Sequence, residues 1–443
     1  MLYFLGTILL VIFIVPIIVT RIKTKDNFHP VIISSFLNII TIVPYIFIVA
    51  IDETQFSRDV VSHSSFESIE KSFFNFTMLQ ILAYLSMLVG LSVKKEFPII
   101  RRLPIINNKL SDKKIKLLII PAIGISMLSY FIFLQQIGGI SYLLNNLNLR
   151  ASFTSGNGYL LSLMKLMTLS VLVLIYKYWN KKGYVFKTFI TMMLLLNIFM
   201  ESSMGGRKST IFIVIFVMIV IHYSVKKIKF LKPRFLLLIG AVFIYFILVP
   251  FLRADGGVEK FLDDPSEAFN EITEDYTYTI RGLSYVSHYI LIINHFNNSD
   301  FWLGLSYLDL IYAPIPSAIF YDKPPVDDGV YVRSIAEGMN VEPNTSRQYL
   351  YKSSWPPETF GAMYMNFGIM GLIIGFMFIG FIYKQLYILM KKSNFSFIYI
   401  YIYSYIIMNF ELSNLRIVQT LSAVSIFLIF YSLLTIKSKK NRF

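Results

Sequence analysis

Residues 235–252 read FLLLIGAVFIYFILVPFL, and Arg253-Ala-Asp-Gly-Gly follows at once. A charge-free run of that length can cross roughly 30 Å of bilayer hydrocarbon as a helix. What comes next is different in kind. The 105 residues from Arg253 to Pro357 hold 15 of the chain's 26 Asp and Glu residues. Outward from this junction the apolar pattern recurs, at about Leu2–Thr20, Val31–Ile51, Ser72–Val93, Leu117–Gln136, Tyr159–Tyr176, Thr188–Met200 and Thr210–Ser224 on one side. On the other it recurs at about Phe360–Tyr383, Phe397–Asn409 and Ile417–Ile436. The chain of 443 residues is 56% hydrophobic and 15% charged, too apolar to cover a soluble domain. The expected fold is an all-α polytopic membrane protein of about eleven transmembrane helices with one large extracytoplasmic loop domain. Its parts would be helices 1–8 in 1–252, the loop in 253–357, and helices 9–11 with a cytoplasmic tail in 358–443.

Composition removes several classes of function. With no cysteine there is no disulfide, thiolate nucleophile or thiolate metal site. Five scattered histidines suggest no metal cage, and no clear acidic pair stands near a span end. The expectation is therefore no bound metal and no cofactor. The run Met1–Thr20 lacks a basic start and a small-residue cleavage site, so it reads as the first span. The net charge of +15 would hint at nucleic acid in a soluble protein. Here topology accounts for most of it, and no nucleic-acid partner is expected.

Alternating the spans creates two sets of loops. One set (21–27, 94–116, 177–187, 226–234, 384–392, 437–443) carries 27 Lys and Arg, and the other, much longer in total, carries 13. The positive-inside rule makes the first set cytoplasmic. The N-terminus and the large loop are then outside and the C-terminus inside, as expected for a multi-pass membrane protein. Arginine is five of the 27 inner basic residues but eight of the 13 outer ones: Arg58, Arg150, Arg207, Arg253, Arg281, Arg333, Arg347 and Arg416. Topology needs only positive charge. A planar fork is needed where phosphate or carboxylate must be gripped.

The competing explanation is that these arginines pair with acidic residues, 23 of which also lie outside. That reading suits Arg58 and Arg333, which sit in acidic stretches. Arg150, Arg207, Arg253 and Arg416 instead sit where spans end. Each could be an anchor snorkelling to headgroups. Together they suggest an anionic site at the outer leaflet.

Within the loop, Asp264-Pro265 is expected to start a helix with proline in its first turn. Phe269, Ile272, Tyr276, Ile280, Leu283 and Ser287 would mark its apolar face along the membrane surface. Arg281 and His288 would share one side of this helix, two turns apart. The prolines of Pro314-Ile-Pro316 and Lys323-Pro324-Pro325 imply an ordered irregular strap or a re-entrant piece. Glu358, at the head of the next span, is either a helix cap or a general base beside the boundary arginines. Trp302, Tyr307, Tyr349, Tyr351 and Trp355 are the aromatic candidates for contact in this outer region, with an interfacial belt as the alternative for Trp355.

At these residues the chain resembles the Wzy-type O-antigen or oligosaccharide repeat-unit polymerases. The resemblance rests on Gly205-Gly206-Arg207 before a span and Arg253 opening the outer loop. It continues through Gly304-Leu-Ser-Tyr307, Pro314-Ile-Pro316 and Lys323-Pro324, then Pro357-Glu358, Tyr364-Met-Asn366-Phe-Gly368 and Gly371. It implies a membrane glycosyltransferase of the GT-C type with its active site at the outer face, serving O-antigen or capsule-type polysaccharide biosynthesis. Donor and acceptor would be glycans on undecaprenyl pyrophosphate, and the reaction metal-independent and inverting. Arg150, Arg207, Arg253, Arg281, Arg347, Arg416, Lys323 and Tyr364 are the expected pyrophosphate and glycan contacts. Glu358, then His288, then Glu411 rank as the base. A chain-length regulator and a flippase are partners implied by the resemblance alone.

Rival classes leave different traces. An O-antigen ligase or a peptidoglycan polymerase would share the lipid-pyrophosphate donor and differ in the acceptor. A lipid-linked oligosaccharide flippase would place charges within spans and show inverted repeats, whereas Lys165 is almost the only charge expected inside a span. A scaffold for polysaccharide assembly would not need arginine concentrated at one boundary.

Overall fold

The computed structural model describes residues 1–59, 68–94, 96–98, 109–149, 153, 157–204, 207–230, 232–252, 257–267, 270, 276–315 and 319–436. The structure is about 76% helical, with almost no strand among the described residues. In chain order the principal helices begin with α1 (Leu2–Thr24), α2 (Pro30–Ile51), α3 (Ile69–Ser92), α4 (Asp112–Gln136), α5 (Gly158–Tyr178) and α6 (Tyr184–Ser203). They continue with α7 (Arg207–Ser224), α8 (Pro233–Leu252), α9 (Val286–Phe296), α10 (Gly329–Ala336), α11 (Glu358–Lys392), α12 (Phe397–Asn409) and α13 (Asn414–Leu434). Among the described residues eight helices, α1 to α6, α11 and α13, are long and apolar enough to cross a membrane. Thr210–Ser224 within α7, and α12, are shorter apolar helices.

Local chemistry sets the ends of these helices. Ser68 caps α3 by accepting the Lys71 amide at 3.1 Å, and Ser111 caps α4 through Lys114 N. Pro30 occupies the first turn of α2, where its missing N–H costs nothing, while His29 Nδ1 accepts the Val31 amide. The flanks left open by packing are apolar: Ile22 of α1 is 72% exposed and Ile120 of α4 is 74% exposed. Such faces suit lipid as solvent and would be a liability in water.

The chain divides into two compact units. The first comprises Met1–Leu103, Ile280–Leu389 and Tyr405–Ser422. Its core is aromatic, with Phe13 edge-on to Tyr84 at 4.8 Å and the Tyr84 hydroxyl 2.6 Å from Ser35 Oγ. Here α3 and α11 cross with their backbones nearly touching. A Cβ on Gly90 would collide with the Met377 carbonyl, and one on Gly380 with that of Met87. At 1.5 Å per residue the 35 residues of α11 would measure roughly 52 Å, well beyond the hydrocarbon core. Gly368 breaks it, with φ 57° and ψ −141°, a conformation open essentially to glycine alone. The break leaves Glu358 on a short leading segment and the remainder at a length that matches a bilayer.

The second unit comprises Pro104–Thr279, Met390–Ser404 and Ala423–Phe443. Tyr130, Phe133, Leu143, Leu147, Met164 and Met200 form its buried cluster. Polar pairs stitch its helices inside that apolar setting: Ser126 Oγ donates to Met164 O at 2.7 Å, and Asn197 Nδ2 to Thr168 Oγ1 at 3.1 Å. The two-residue strands β1 (Lys109–Leu110) and β2 (Thr435–Ile436) pair antiparallel.

The expected surface helix through Arg281 and His288 is not continuous. A six-residue helix ends at Arg281, the chain turns, and α9 starts at Val286. Gly282 lies in the break, and Ser284 Oγ accepts the Val286 amide at 3.2 Å, an alternative to the helical ladder. Its start is as read from the sequence, with Asp264 Oδ1 accepting the amides of Ser266 and Glu267 just after Pro265. Phe269 and Ile272 lie outside the described residues.

Candidate functional site

Two helix starts in the first unit meet at a buried ion pair. Glu358 opens α11 and Arg416 lies in the first turn of α13. The guanidinium faces the carboxylate with both prongs: Nε donates to Oε2 at 3.0 Å and Nη2 to Oε1 at 2.6 Å. The Glu358 side chain is 7% exposed and that of Arg416 18%. A charge so far from water persists only with such a partner. The third nitrogen, Nη1, reaches Gln419 Oε1 at 3.1 Å. Glu358 also holds φ at 48°, in the left-handed region, and so carries backbone strain on the very residue that makes the pair.

The next residues clasp the same corner. Glu411 Oε2 accepts both the amide and the hydroxyl of Thr359, and Thr359 Oγ1 in turn accepts the Leu412 amide at 3.1 Å. Loop residues hold the 411–416 turn from the other side. Tyr307 OH donates to Leu412 O at 2.7 Å, Asn414 Nδ2 to Ser306 O at 2.6 Å, and the Asn414 amide to Asp328 Oδ2 at 2.6 Å. Ser306 and Gly304 are tied in turn to Asn366 of α11. Two motifs some 60 positions apart, Gly304-Leu-Ser-Tyr307 and Tyr364-Met-Asn366-Phe-Gly368, therefore form one hydrogen-bonded layer beside the ion pair.

His288 stands near this corner on an aromatic wall. Its ring stacks on Trp355 at 4.8 Å and 6°, and Nδ1 lies 3.3 Å from the Pro356 carbonyl. A carbonyl can only accept, so Nδ1 carries the proton and Nε2 the lone pair. Burial lowers its pKa to about 4, with the Arg333 charge acting the same way and the Pro356 carbonyl and Glu358 opposing. The imidazole is neutral at physiological pH. Arg333 lies 4.5 Å from the Trp355 ring centre and 4.8 Å from that of Tyr351, and it pairs with Glu337 one turn along α10.

The structure thus brings Glu358, Arg416, Glu411 and His288 into one region. Other candidates are engaged in holding the loop. Arg347 donates to the carbonyls of Tyr351 and Lys352, Lys323 Nζ to those of Tyr312 and Ile315, and Tyr364 OH to Asn297 Oδ1 at 2.9 Å. Arg281 ends its short helix, where its carbonyl accepts the Ser284 amide at 3.1 Å. Arg150 and Arg253 lie outside the described residues, and Arg207 opens α7 in the second unit. Of the aromatic candidates Trp302 is buried, whereas Tyr349 is 67% and Tyr351 39% exposed.

Sequence reading passed over two carboxylates. Asp328 is 1% exposed and Asp309 is fully buried. Burial raises both pKa values, that of Asp309 to about 6 and that of Asp328 well above the usual carboxylate range. Tyr331 donates to Asp309 Oδ2 at 2.8 Å. Asp327-Asp328-Gly329 carries the only available signal, an acidic pair at a turn glycine, and it resembles many exposed turns. Among the described residues no three His, Asp or Glu side chains gather as a metal site would require. Comparison of the chain with protein-family models, curated proteins and solved structures finds no match in any of the three.

Proposed function

We propose that this chain is a membrane glycosyltransferase that joins oligosaccharide repeat units carried on undecaprenyl pyrophosphate at the outer face of the plasma membrane, extending an O-antigen or capsule-type polysaccharide. The observation that carries this reading is the buried, two-pronged Glu358–Arg416 pair at the head of a membrane-length helix. A lipid pyrophosphate leaving group needs fixed positive charge where its negative charge develops, and a guanidinium held by a carboxylate supplies it already oriented. In the acceptor unit a sugar hydroxyl needs a base. When pyrophosphate takes up part of the Arg416 fork, the Glu358 carboxylate is released to accept the hydroxyl proton. The acceptor oxygen bonds to the anomeric carbon, the carbon–oxygen bond to pyrophosphate breaks, and the lipid pyrophosphate departs with the electron pair. His288, neutral and close by, is the second candidate base. Glu411, engaged with Thr359, positions the helix start.

The test is polymerisation by the purified protein in detergent, given a lipid-pyrophosphate repeat unit with and without EDTA. Wild type is expected to give a glycan ladder in both. Arg416→Lys and Glu358→Gln should each cut the rate by about two orders of magnitude or more. A wild-type protein that is folded yet makes no ladder, and instead transfers glycan to a different acceptor, would replace the polymerase reading with a ligase.

A further inference from the structure

The second unit holds a cavity of about 490 Å³ whose lining includes Lys109, Lys177, Lys181, Tyr176, Tyr223 and Ser396. We infer that this cavity is a binding site for a phosphate ester, either the headgroup of an anionic phospholipid or a soluble phosphate compound. The inference does not depend on glycosyl transfer.

Three observations converge. The first is charge. Asp112 is the carboxylate beside the lysines; it accepts Tyr178 OH at 2.7 Å and lies 3.7 Å from Lys177 Nζ. Lys177 also donates to Leu110 O at 2.9 Å. Lys109 and Lys181 remain as the excess positive charge on the cavity wall. Phosphate, a compact anion with several acceptor oxygens, suits ammonium groups that approach as point charges.

The second is the turn between α11 and α12. Asn394 and Phe395 hold φ at 51° and 56°, two consecutive residues with side chains in the left-handed region. Such strain persists only where surrounding structure enforces it, and it gathers at ligand sites. Here Phe395 is clamped by stacking on Tyr223 at 5.1 Å and 11°, while its carbonyl accepts from Tyr176 OH. The third is Ser396, next in the chain. Its Oγ is buried without a hydrogen-bond partner, at the position preceding α12 where a serine hydroxyl normally bonds the helix start. A buried hydroxyl left unmet costs free energy that an acceptor oxygen in the cavity would recover.

Topogenic lysine alone explains less. The positive-inside rule asks for charge anywhere in a loop, not for a cavity with a strained wall and an unmet hydroxyl. The volume suits a headgroup rather than a glycan chain.

The experiment uses the full-length protein in nanodiscs of neutral phosphatidylcholine, with or without phosphatidylglycerol, and counts retained phosphatidylglycerol by native mass spectrometry. Lys109→Gln/Lys181→Gln is expected to retain at least about tenfold less than wild type. Lys227→Gln/Lys229→Gln, which removes the same charge from positions outside the cavity lining, should retain as much as wild type. A second arm adds glycerol 3-phosphate or inorganic phosphate to the protein in neutral detergent and reads the thermal shift. A shift that the cavity variants lose would assign the site to soluble phosphate. Ser396→Ala, a conservative change, should weaken either signal by about threefold and tests the cavity even if the lysine variant fails to fold. The inference is overturned if the control lysines matter as much as the cavity lysines, or if neither ligand distinguishes wild type from the variants.

Discussion

Arginine in the first unit and lysine around the cavity of the second are both positive charges, yet they are held in opposite ways. Arg416 is clamped by a carboxylate through two prongs, Arg333 lies against two aromatic rings, and Arg347 bridges two carbonyls. Each uses the planar shape of the guanidinium. Around the cavity, Lys109 and Lys181 contribute charge at a wall that contains an unmet hydroxyl. The difference teaches that the first site is assembled in advance, with its groups already satisfied, whereas the second is built to be completed by what enters it.

The largest expected effect comes from breaking the preassembled pair. Glu358→Ala leaves Arg416 buried without its counter-charge and should destabilise the protein by about 3 to 5 kcal/mol, measured as thermal unfolding in detergent. Arg333→Lys keeps the charge and loses the flat contact with Trp355 and Tyr351. About 1 to 2 kcal/mol should go, together with a change in Trp355 fluorescence. His288 adds a pH signature in stability. Its folded pKa, about 4, lies below the ordinary value of 6.5. The unfolded chain therefore binds the extra proton first, and stability should fall as pH drops from 6.5 towards 4. His288→Gln should flatten that part of the curve. The smallest effect is the converse substitution in the second unit. Lys181→Arg should leave phosphatidylglycerol retention within about twofold of wild type, because the cavity asks for charge rather than a fork. If Lys181→Arg abolished retention while Arg333→Lys cost nothing, the contrast between the two units would be wrong.

Much of the fold was legible because a bilayer imposes a simple grammar: apolar runs of fixed length separated by polar loops. The runs and the helices agree to within a few residues over most of their ends. The extent of α11 was less legible, since a sequence window reports hydropathy and not where Gly368 breaks the helix. The run through Arg281 and His288 kept a helical period across Gly282, and the backbone chose the turn because Ser284 competes locally for the next amide.

The site was legible as residues and not as contacts. Glu358, Arg416 and Glu411 are singled out by type and by position near a predicted boundary, and His288 by its place beside Arg281 on the expected loop helix. That Glu358 would meet Arg416 is not, because their pairing is set by how three helices and a loop pack and not by local pattern. Arg347 and Lys323 show the converse. Their residue types suit anion binding, while their geometry commits them to backbone carbonyls. Asp309 and Asp328 went unseen because burial, which gives them their raised pKa values, has no signature in the surrounding residues.

The Glu358–Arg416 pair also has a consequence for how the protein is made. The two partners lie 58 positions apart, and the carboxylate leaves the ribosome first. During synthesis α11 is made first, and the pair with Arg416 closes only when α13 arrives. Closure of the pair is thus a late step of assembly. A chain truncated before Asn414 would keep most of its apolar helices and lack the two-pronged pair that ties the head of α11 to α13.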